Sequence, residues 1–239
     1  MLATDLLLLA LDDERGTVLP DARIGLDYGL AGALVMELAL CGRLRLDGAQ
    51  VSAIGADTGD ALLDDASRAV AAAPGKELSY WIPQLVRGIG NLRQRLLERL
   101  VAQGTLEKRE QRVLLLFHRE TYPERDGRVE HDLRAQVDAV LLHGQSPDAR
   151  TSCLIQLAAA CRVTDALYPK SQHTTLKKRI AELDDAGKAG ADAVASAVAQ
   201  AEAAAVNAAM VAAITASTLA ATSAATSAAC SAASAAACR

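Results

Sequence analysis

The sequence predicts a mainly α-helical protein, in which one globular helical domain carries two wing-like β-hairpin insertions and is followed by an alanine-rich C-terminal helix or tail. Hydrophobic residues make up 51% of the 239 residues but aromatic residues only 3%, so the core must consist largely of Leu, Val, Ile and Ala. A core of this kind favours closely packed helices. Helical periodicity recurs along the chain, and two segments with hairpin signals interrupt it.

The first half of the chain alternates helix patterns with turn signals. Residues 5–19 form a short apolar element that ends in the turn DDERG, and we expect this element in the core. A helix pattern over 26–42 ends at Gly42, as is typical of a helix C-terminus. The alternating segment 43–54 contains Asp47-Gly48, which is a strong hairpin signal. Further helices are predicted over residues 59–73 and 77–86.

The second half contains the clearest helix, over residues 91–104, where Gly104 follows the last periodic residue. Residues 105–117 then predict a strand, a charged turn and a return strand. Segments 36–54 and 97–117 therefore share one plan, in which a helix that ends in Gly precedes a hairpin, as in winged-helix units. The remaining helices are predicted over residues 128–144, 148–168 and 173–187.

The composition changes after residue 187, so we predict a globular domain over residues 1–187 and a tail over residues 188–239. No charged residue occurs between Ala203 and Cys238, and most residues there are Ala, Ser or Thr. We favour an alanine-rich helix that packs on the domain and frays towards its end. A disordered tail and a membrane span are the alternatives, and the span is disfavoured because Ala contributes little to membrane insertion.

No pattern indicates catalysis, a metal site or a cofactor, so we expect a protein that is not an enzyme. Asp57-Thr58-Gly59 matches half of an aspartic protease site, which needs two carboxylates, and we interpret it as a loop that caps the next helix. The four histidines lack metal-ligand spacing. Five irregularly spaced cysteines and the lack of a signal peptide predict a cytoplasmic protein. A net charge of −4 disfavours a general nucleic-acid binder.

A basic segment contrasts with this acidic chain. Residues 87–119 contain eight basic and three acidic residues and therefore carry a charge of +5, whereas the whole chain carries −4. Charge asymmetry of this kind favours an anionic partner.

The arginines of the helix over 91–104 fall on different faces. Arg95 and Arg99 lie on the polar side and are expected in solvent, whereas Arg93 falls among apolar residues. We expect Arg93 either to pair with a core carboxylate such as Glu37 or Asp60, or to bind an anionic headgroup.

The predicted second hairpin combines a basic cluster with an apolar strand. We place Lys108, Arg109 and Arg112 at or near its turn and the return strand over residues 113–117. Apart from Val113, that strand consists of Leu114, Leu115, Leu116 and Phe117. These residues either alternate between the core and neighbouring elements, or insert between lipid headgroups while the basic residues meet phosphates. An exposed edge strand would also pair with a second copy and give a homo-oligomer.

The order of several motifs resembles that of the Golgi phosphoprotein 3 family. The motifs are GLAGALVMELALCGRL, DTGDALLDDA, NLRQRLLERLVAQGTLEK and LLLF, and the resemblance covers roughly residues 4–185. It implies a mostly helical domain that associates peripherally with membranes. Eukaryotic members bind phosphatidylinositol 4-phosphate and retain Golgi glycosyltransferases through their cytoplasmic tails. High Ala, Arg and Gly content with few Lys and aromatic residues is typical of a prokaryotic member.

The resemblance also implies a lipid site and a membrane-contacting hairpin. The headgroup contacts of the family align with Arg93, Gly90, Ala31 and a position near Ala22. Of these, Arg93 alone keeps the residue type of the family, and Arg87 and Arg23 are basic residues that could compensate. The hairpin that assists membrane contact or self-association in the family corresponds to residues 107–121.

We therefore expect a cytoplasmic, peripherally membrane-associated protein that binds anionic phospholipid headgroups through Arg93, Arg87 and the hairpin over 107–117. The first alternative is an oligomeric scaffold or adaptor without lipid specificity, whose client protein the sequence does not identify. The second is a winged-helix nucleic-acid binder. We do not expect a nucleic-acid partner, because the helix before each wing carries mostly apolar residues.

Overall fold

Two leucine-rich helices, α1 (Leu2–Leu9) and α2 (Leu26–Leu40), lie at the centre of the protein. The computed structural model describes residues 1–47, 50–55, 57–113, 117–125, 127–189 and 212–215. Within them, every side chain of α1 except that of Asp5 is buried, and most of α2 is buried as well. Helices that are apolar on all sides belong in the core. The apolar element expected over 5–19 therefore begins earlier, as a helix that ends before the turn.

The first hairpin follows α2 as predicted. Gly42 has a φ of +64°, and the Arg43 amide donates to the Leu38 carbonyl at 2.7 Å, which ends the helix. Strands β1 (Leu44–Asp47) and β2 (Gln50–Ala53) are antiparallel, and Asp47 lies opposite Gln50. A third strand, β3 (Lys76–Glu77), pairs with β2. Two residues are too few to show a strand pattern in the sequence, so β3 was not predicted.

Three helices then carry the chain to the second hairpin. They are α3 (Ala61–Ala72), α4 (Leu78–Gly88) and α5 (Leu92–Ala102). Asp60 caps α3 as predicted, since its carboxylate accepts from the amides of Leu62 and Leu63. Helices α3, α4 and α5 all pack against α2, which makes α2 the support of the α4–α5 corner.

The second hairpin differs from the prediction in its register. Strand β4 (Arg109–Val113) pairs with β5 (Phe117–Thr121), so that Val113 lies opposite Phe117. Arg109 and Arg112 therefore belong to a strand and not to a turn, and the return strand begins at Phe117. The prediction was wrong because it required apolar residues in the strands. Strand β4 instead has four polar or charged residues before Val113, so an apolar pattern does not mark it. Leu114, Leu115 and Leu116 lie outside the described residues.

The C-terminal helices are α6 (Arg128–Leu141), α7 (Ala149–Ala160), α8 (Val163–Leu167) and α9 (His173–Ala189). The single helix predicted over 148–168 is broken, because Arg162 adopts the left-handed conformation with a φ of +61°. Arginine rarely adopts this conformation, so nothing in the sequence marked the break.

Of the alanine-rich tail, the structure describes residues 212–215. They form one helical turn, in which Ala213 and Ile214 are buried. Because the rest of the tail lies outside the described residues, the long helix packed on the domain and the domain boundary after residue 187 both stay predictions. Among the described helices, none is both long and apolar enough to span a bilayer. The mainly helical fold with two hairpins is confirmed.

Candidate functional site

The corner between α4 and α5 presents the N-terminus of α5. Asn91 precedes the helix in the left-handed conformation, with a φ of +55°, and its side chain does not cap the helix. The first turn of α5 contains no acidic residue. Its free amides and the positive end of the helix dipole therefore favour an anion at this point.

A pocket of about 370 Å³ lies at this corner. It is lined by Asp27, Val86, Asn91, Leu92, Arg93 and Gln94. The lining combines two apolar side chains with amide and charged groups, and the volume suits a small polar ligand such as a headgroup.

Arg93 lies in this pocket and pairs with Asp27, at the start of α2. Its Nε donates to Oδ1 of Asp27 at 2.9 Å, and a terminal nitrogen lies 2.8 Å from the same oxygen. The predicted partners were wrong, because Glu37 pairs with Arg150 and Asp60 with Arg99. The side chains of Arg93 and Asp27 are 31% and 48% exposed. An ion pair this accessible contributes about 0–1 kcal/mol, so an anionic ligand can compete for the guanidinium.

Arg87 and Gly90 lie on the exposed surface of the same corner. The Nε of Arg87 donates to the Pro83 carbonyl at 3.2 Å, and Arg87 forms no ion pair with a described residue. A Cβ built on Gly90 would meet no heavy atom within 4 Å. Gly90 therefore leaves the approach to the pocket open.

Ala22 and Ala31 do not belong to a surface site. Both side chains are 0% exposed and lie in the core, in the short 3₁₀ turn Pro20–Ala22 and in α2 respectively. Their assignment to headgroup binding is corrected, since neither side chain offers any surface to a ligand. Small residues at these positions fit the tight packing around α2.

The charge of the basic segment is largely offset within the fold. Arg95 pairs with Asp65 at 2.8 Å and Arg99 with Asp60 at 2.6 Å, so the expectation that these arginines are only solvated was wrong. Both partners come from α3 or its cap. The segment charge of +5 therefore overstates the charge of the surface, because carboxylates outside the segment face it.

Two cations of the hairpin, Lys108 and Arg109, have partners as well. Lys108 lies 2.6 Å from Oε1 of Glu120, and Arg109 lies 2.9 Å from Glu107. The hydrogen bond with Glu120 raises the pKa of Lys108, and the bond from Lys108 lowers the pKa of Glu120. Both groups consequently stay charged at neutral pH. The side chains of Arg112 and Phe117 lie outside the described part of the structure.

A hydrogen-bond chain connects the pocket with the base of the hairpin. Nε2 of Gln94, in the pocket lining, donates to the Tyr122 hydroxyl at 3.0 Å. That hydroxyl donates to Oε2 of Glu120 at 2.5 Å, and Glu120 holds Lys108. Burial, and then the bond to Glu120, raise the pKa of Tyr122. The pocket and the hairpin base thus lie beside each other. No sequence pattern indicates this contact between residues that are far apart in the chain.

The described residues contain no cluster of three or more His, Cys, Asp or Glu side chains with the geometry of a metal site. In the loop before α3, the amide and hydroxyl of Thr58 donate to Asp64 at 2.6 and 2.7 Å. Together with the cap by Asp60, these bonds support the interpretation of Asp57-Thr58-Gly59 as a capping loop. Burial raises the pKa of the Cys161 thiol to about 12, so this cysteine is an inert core residue.

Comparison with known protein families agrees with the motif order in the sequence. The model of the family described as Golgi phosphoprotein 3 (GPP34) matches residues 2–205, which include all the elements from α1 to α9. The match leaves out the end of the alanine-rich tail. Because it covers well over half of the 239 residues, the chain belongs to the Golgi phosphoprotein 3 (GPP34) family.

Proposed function

We propose that this protein docks reversibly on anionic membranes and holds a phosphorylated headgroup, of the phosphatidylinositol 4-phosphate kind, in the pocket at the α4–α5 corner. In this role it is a cytoplasmic, peripheral binding protein without a cofactor, and not an enzyme. The observation that carries the proposal is Arg93, whose accessible guanidinium lies in the pocket beside the uncapped N-terminus of α5.

The hairpin provides a second contact on the same side. The chain from Gln94 through Tyr122 to Glu120 holds the hairpin base next to the pocket. Each basic residue close to an anionic bilayer contributes on the order of 1 kcal/mol. Arg87 and Arg93 at the α4–α5 corner, with Lys108, Arg109 and Arg112 on the hairpin, would therefore support reversible binding without a lipid anchor.

Vesicle co-sedimentation tests the proposal. Wild-type protein is mixed with neutral vesicles, with vesicles that contain phosphatidylserine, and with vesicles that contain phosphatidylinositol 4-phosphate. We expect binding to anionic vesicles, a preference for phosphatidylinositol 4-phosphate, and a loss of about tenfold to thirtyfold in the Arg87→Ala/Arg93→Ala variant.

The matched control is Arg45→Ala/Arg68→Ala, which removes two exposed arginines elsewhere. An equal loss in both variants would mean that general charge, and not the pocket, holds the vesicles. Absence of binding at low salt would refute membrane docking. Binding to duplex DNA instead would favour the nucleic-acid alternative.

A second candidate function is an oligomeric scaffold or adaptor for a client protein. The observation in its favour is that β4 and β5 form a two-stranded sheet, in which each strand has a second edge that no other described strand covers. Such edges can pair with another copy. Sedimentation over a range of protein concentrations would reveal the oligomer, and Leu115→Asp should dissociate it without changing the affinity for vesicles.

A further inference from the structure

A hollow of about 450 Å³ lies among α7, α8 and α9, separate from the pocket at the α4–α5 corner. Helix α7 lines it with Ala159 and Ala160 and helix α9 with Leu176 and Ile180, so the wall between these two helices is apolar. Thr215, in the described turn of the tail, belongs to the wall as well. An apolar hollow of this volume suits a small organic ligand.

The side of the hollow towards α8 is polar. Arg162 and Asp165 line it there, and α9 adds His173 and Lys177. The Nε2 atom of His173 lies 2.9 Å from the Tyr168 carbonyl. Because a carbonyl only accepts, Nε2 carries a proton and donates it, which holds the ring at the end of α8. The polar groups are therefore gathered on one side of the hollow, beside the apolar wall.

The charged groups of the lining leave one cation open to a ligand. Arg162 lies 3.2 Å from Asp165 and 3.7 Å from Asp21, so two carboxylates already face it. Lys177 is exposed and forms no ion pair with a carboxylate of the described residues. With two cations and one carboxylate, the lining carries a net charge of +1 when His173 is neutral. A ligand with a single negative charge balances it.

Charge and apolar surface share one face of α9. His173, Leu176, Lys177 and Ile180 follow one another at helical spacing and all line the hollow. This face extends for about 10 Å along the helix from His173 to Ile180. A ligand that uses the whole face needs an anionic group for Lys177 and an elongated apolar body for the wall.

We propose that the hollow among α7, α8 and α9 binds a fatty acid, whose carboxylate pairs with Lys177 and whose alkyl chain lies between α7 and α9. The net charge of the lining favours a carboxylate over a phosphate monoester, which carries nearly two negative charges at neutral pH. This site and the α4–α5 corner share no lining residue, so neither proposal depends on the other.

Isothermal titration calorimetry of the full-length protein tests the site. The probes are decanoate, decanol, butyrate and decyl phosphate, each below the concentration at which it forms micelles. Decanoate should bind at least about tenfold more tightly than decanol, which lacks the charge, and than butyrate, which lacks most of the chain. Absence of decanoate binding, or equal binding of decanol, would overturn the proposal. Tighter binding of decyl phosphate would contradict the choice of a carboxylate.

Two neighbouring lysines of α9 provide matched variants. Lys177→Glu reverses the charge at the hollow and should weaken decanoate binding at least about tenfold. Lys178→Glu makes the same change on an exposed residue that does not line the hollow, and should bind decanoate like the wild type. Both lysines are exposed, so both variants should fold. Equal affinities of the two variants for decanoate would overturn the site.

Hydrogen exchange locates the bound probe. Saturating decanoate should slow the exchange of backbone amides over residues 173–183, because the ligand covers one face of α9. Exchange over residues 87–94, at the α4–α5 corner, should not change. Protection of the corner without protection of α9 would place decanoate in the pocket of Arg93 and contradict this assignment.

Discussion

The carboxylate of Asp60 holds two elements together at the N-terminus of α3. It accepts from the amides of Leu62 and Leu63 at 2.9 and 3.3 Å, and from two nitrogens of Arg99 at 2.6 and 3.0 Å. Burial acts to raise its pKa, but the hydrogen bonds from Arg99 and from the backbone outweigh burial and lower the pKa. Asp60 therefore caps α3 and ties α3 to α5.

Substitutions of Asp60 should separate these two effects. Asp60→Ala removes the cap and the ion pair, and should lower the free energy of unfolding by about 1–3 kcal/mol at pH 7, as measured in urea. Asp60→Asn keeps a capping oxygen and should lower the free energy of unfolding by about half as much. Because the pKa is lower in the folded state, the contribution of Asp60 is present above its unfolded pKa of about 3.9 and is lost as the pH falls through the folded value. If Asp60→Ala lowers the free energy of unfolding by the same amount at pH 7 and at pH 3, this explanation is wrong.

Glu130, in the first turn of α6, is a buried carboxyl group next to a like charge. It is 5% exposed, and burial, followed by the charge of Asp13, raises its pKa to about 7. Arg134 lies 3.2 Å away and offsets part of this effect. The folded protein therefore binds a proton at Glu130 more tightly than the unfolded chain does.

The raised pKa of Glu130 predicts a definite pH dependence. The contribution of this group to stability is greatest below the usual glutamate pKa of 4.5, falls as the pH rises to about 7, and is constant above that. Glu130→Gln should remove this dependence and stabilise the protein by about 1–3 kcal/mol at pH 8. Urea unfolding of both proteins at pH 5 and pH 8 measures the difference. A stability difference that does not change between the two pH values would contradict the assignment.

At the scale of elements, α2 passes very close to the end of α7. A Cβ built on Gly29 would lie 2.1 Å from Sγ of Cys161, which is a distance that no real contact tolerates. The Sγ atom is also 3.5 Å from the Gly25 carbonyl, so the thiol fills the space between the two helices. Gly29 is thus required by the helix crossing and not by its backbone conformation.

A double-mutant cycle tests this crossing. Gly29→Ala alone should lower the free energy of unfolding by about 1–3 kcal/mol, because the added methyl group overpacks the contact. Cys161→Ala removes Sγ and should restore most of that loss in the double variant. Chemical unfolding of the wild type, the two single variants and the double variant gives the coupling energy. If the two losses in the free energy of unfolding simply add, the two residues do not contact each other.

Helix ends were predictable where a glycine or a capping carboxylate marks them, as at Gly42 and Asp60. The break at Arg162 and the short strand β3 were not, because an arginine in the left-handed conformation and a two-residue strand leave no pattern. The register of the second hairpin was misjudged because its strands are mostly charged.

At the scale of the whole molecule, the candidate site was predicted only in part. The sequence predicted one site for Arg93 and Arg87, and the structure places both residues at the α4–α5 corner. The partner of Arg93 is Asp27, 66 positions earlier in the chain, and only the folded chain brings the two together. The same holds for the burial of Ala31, since a single sequence does not show which side of α2 the other helices cover.

At the scale of the molecule, the pocket lies beside the base of the second hairpin, and the proposed membrane surface depends on this proximity. Lipid contact at one of them should bring the other to the bilayer, because Gln94, Tyr122 and Glu120 join them by hydrogen bonds. The membrane-facing surface would then consist of the α4–α5 corner and the hairpin.

Hydrogen exchange of the wild-type protein bound to vesicles tests this account most directly. Exchange is compared among free protein, protein with neutral vesicles, and protein with vesicles that contain phosphatidylinositol 4-phosphate. We predict that the anionic vesicles slow exchange in residues 87–94 and 107–121 and that neutral vesicles leave it unchanged. Slower exchange in other parts of the chain without these two segments, or no change with any vesicle, would contradict membrane docking through this surface.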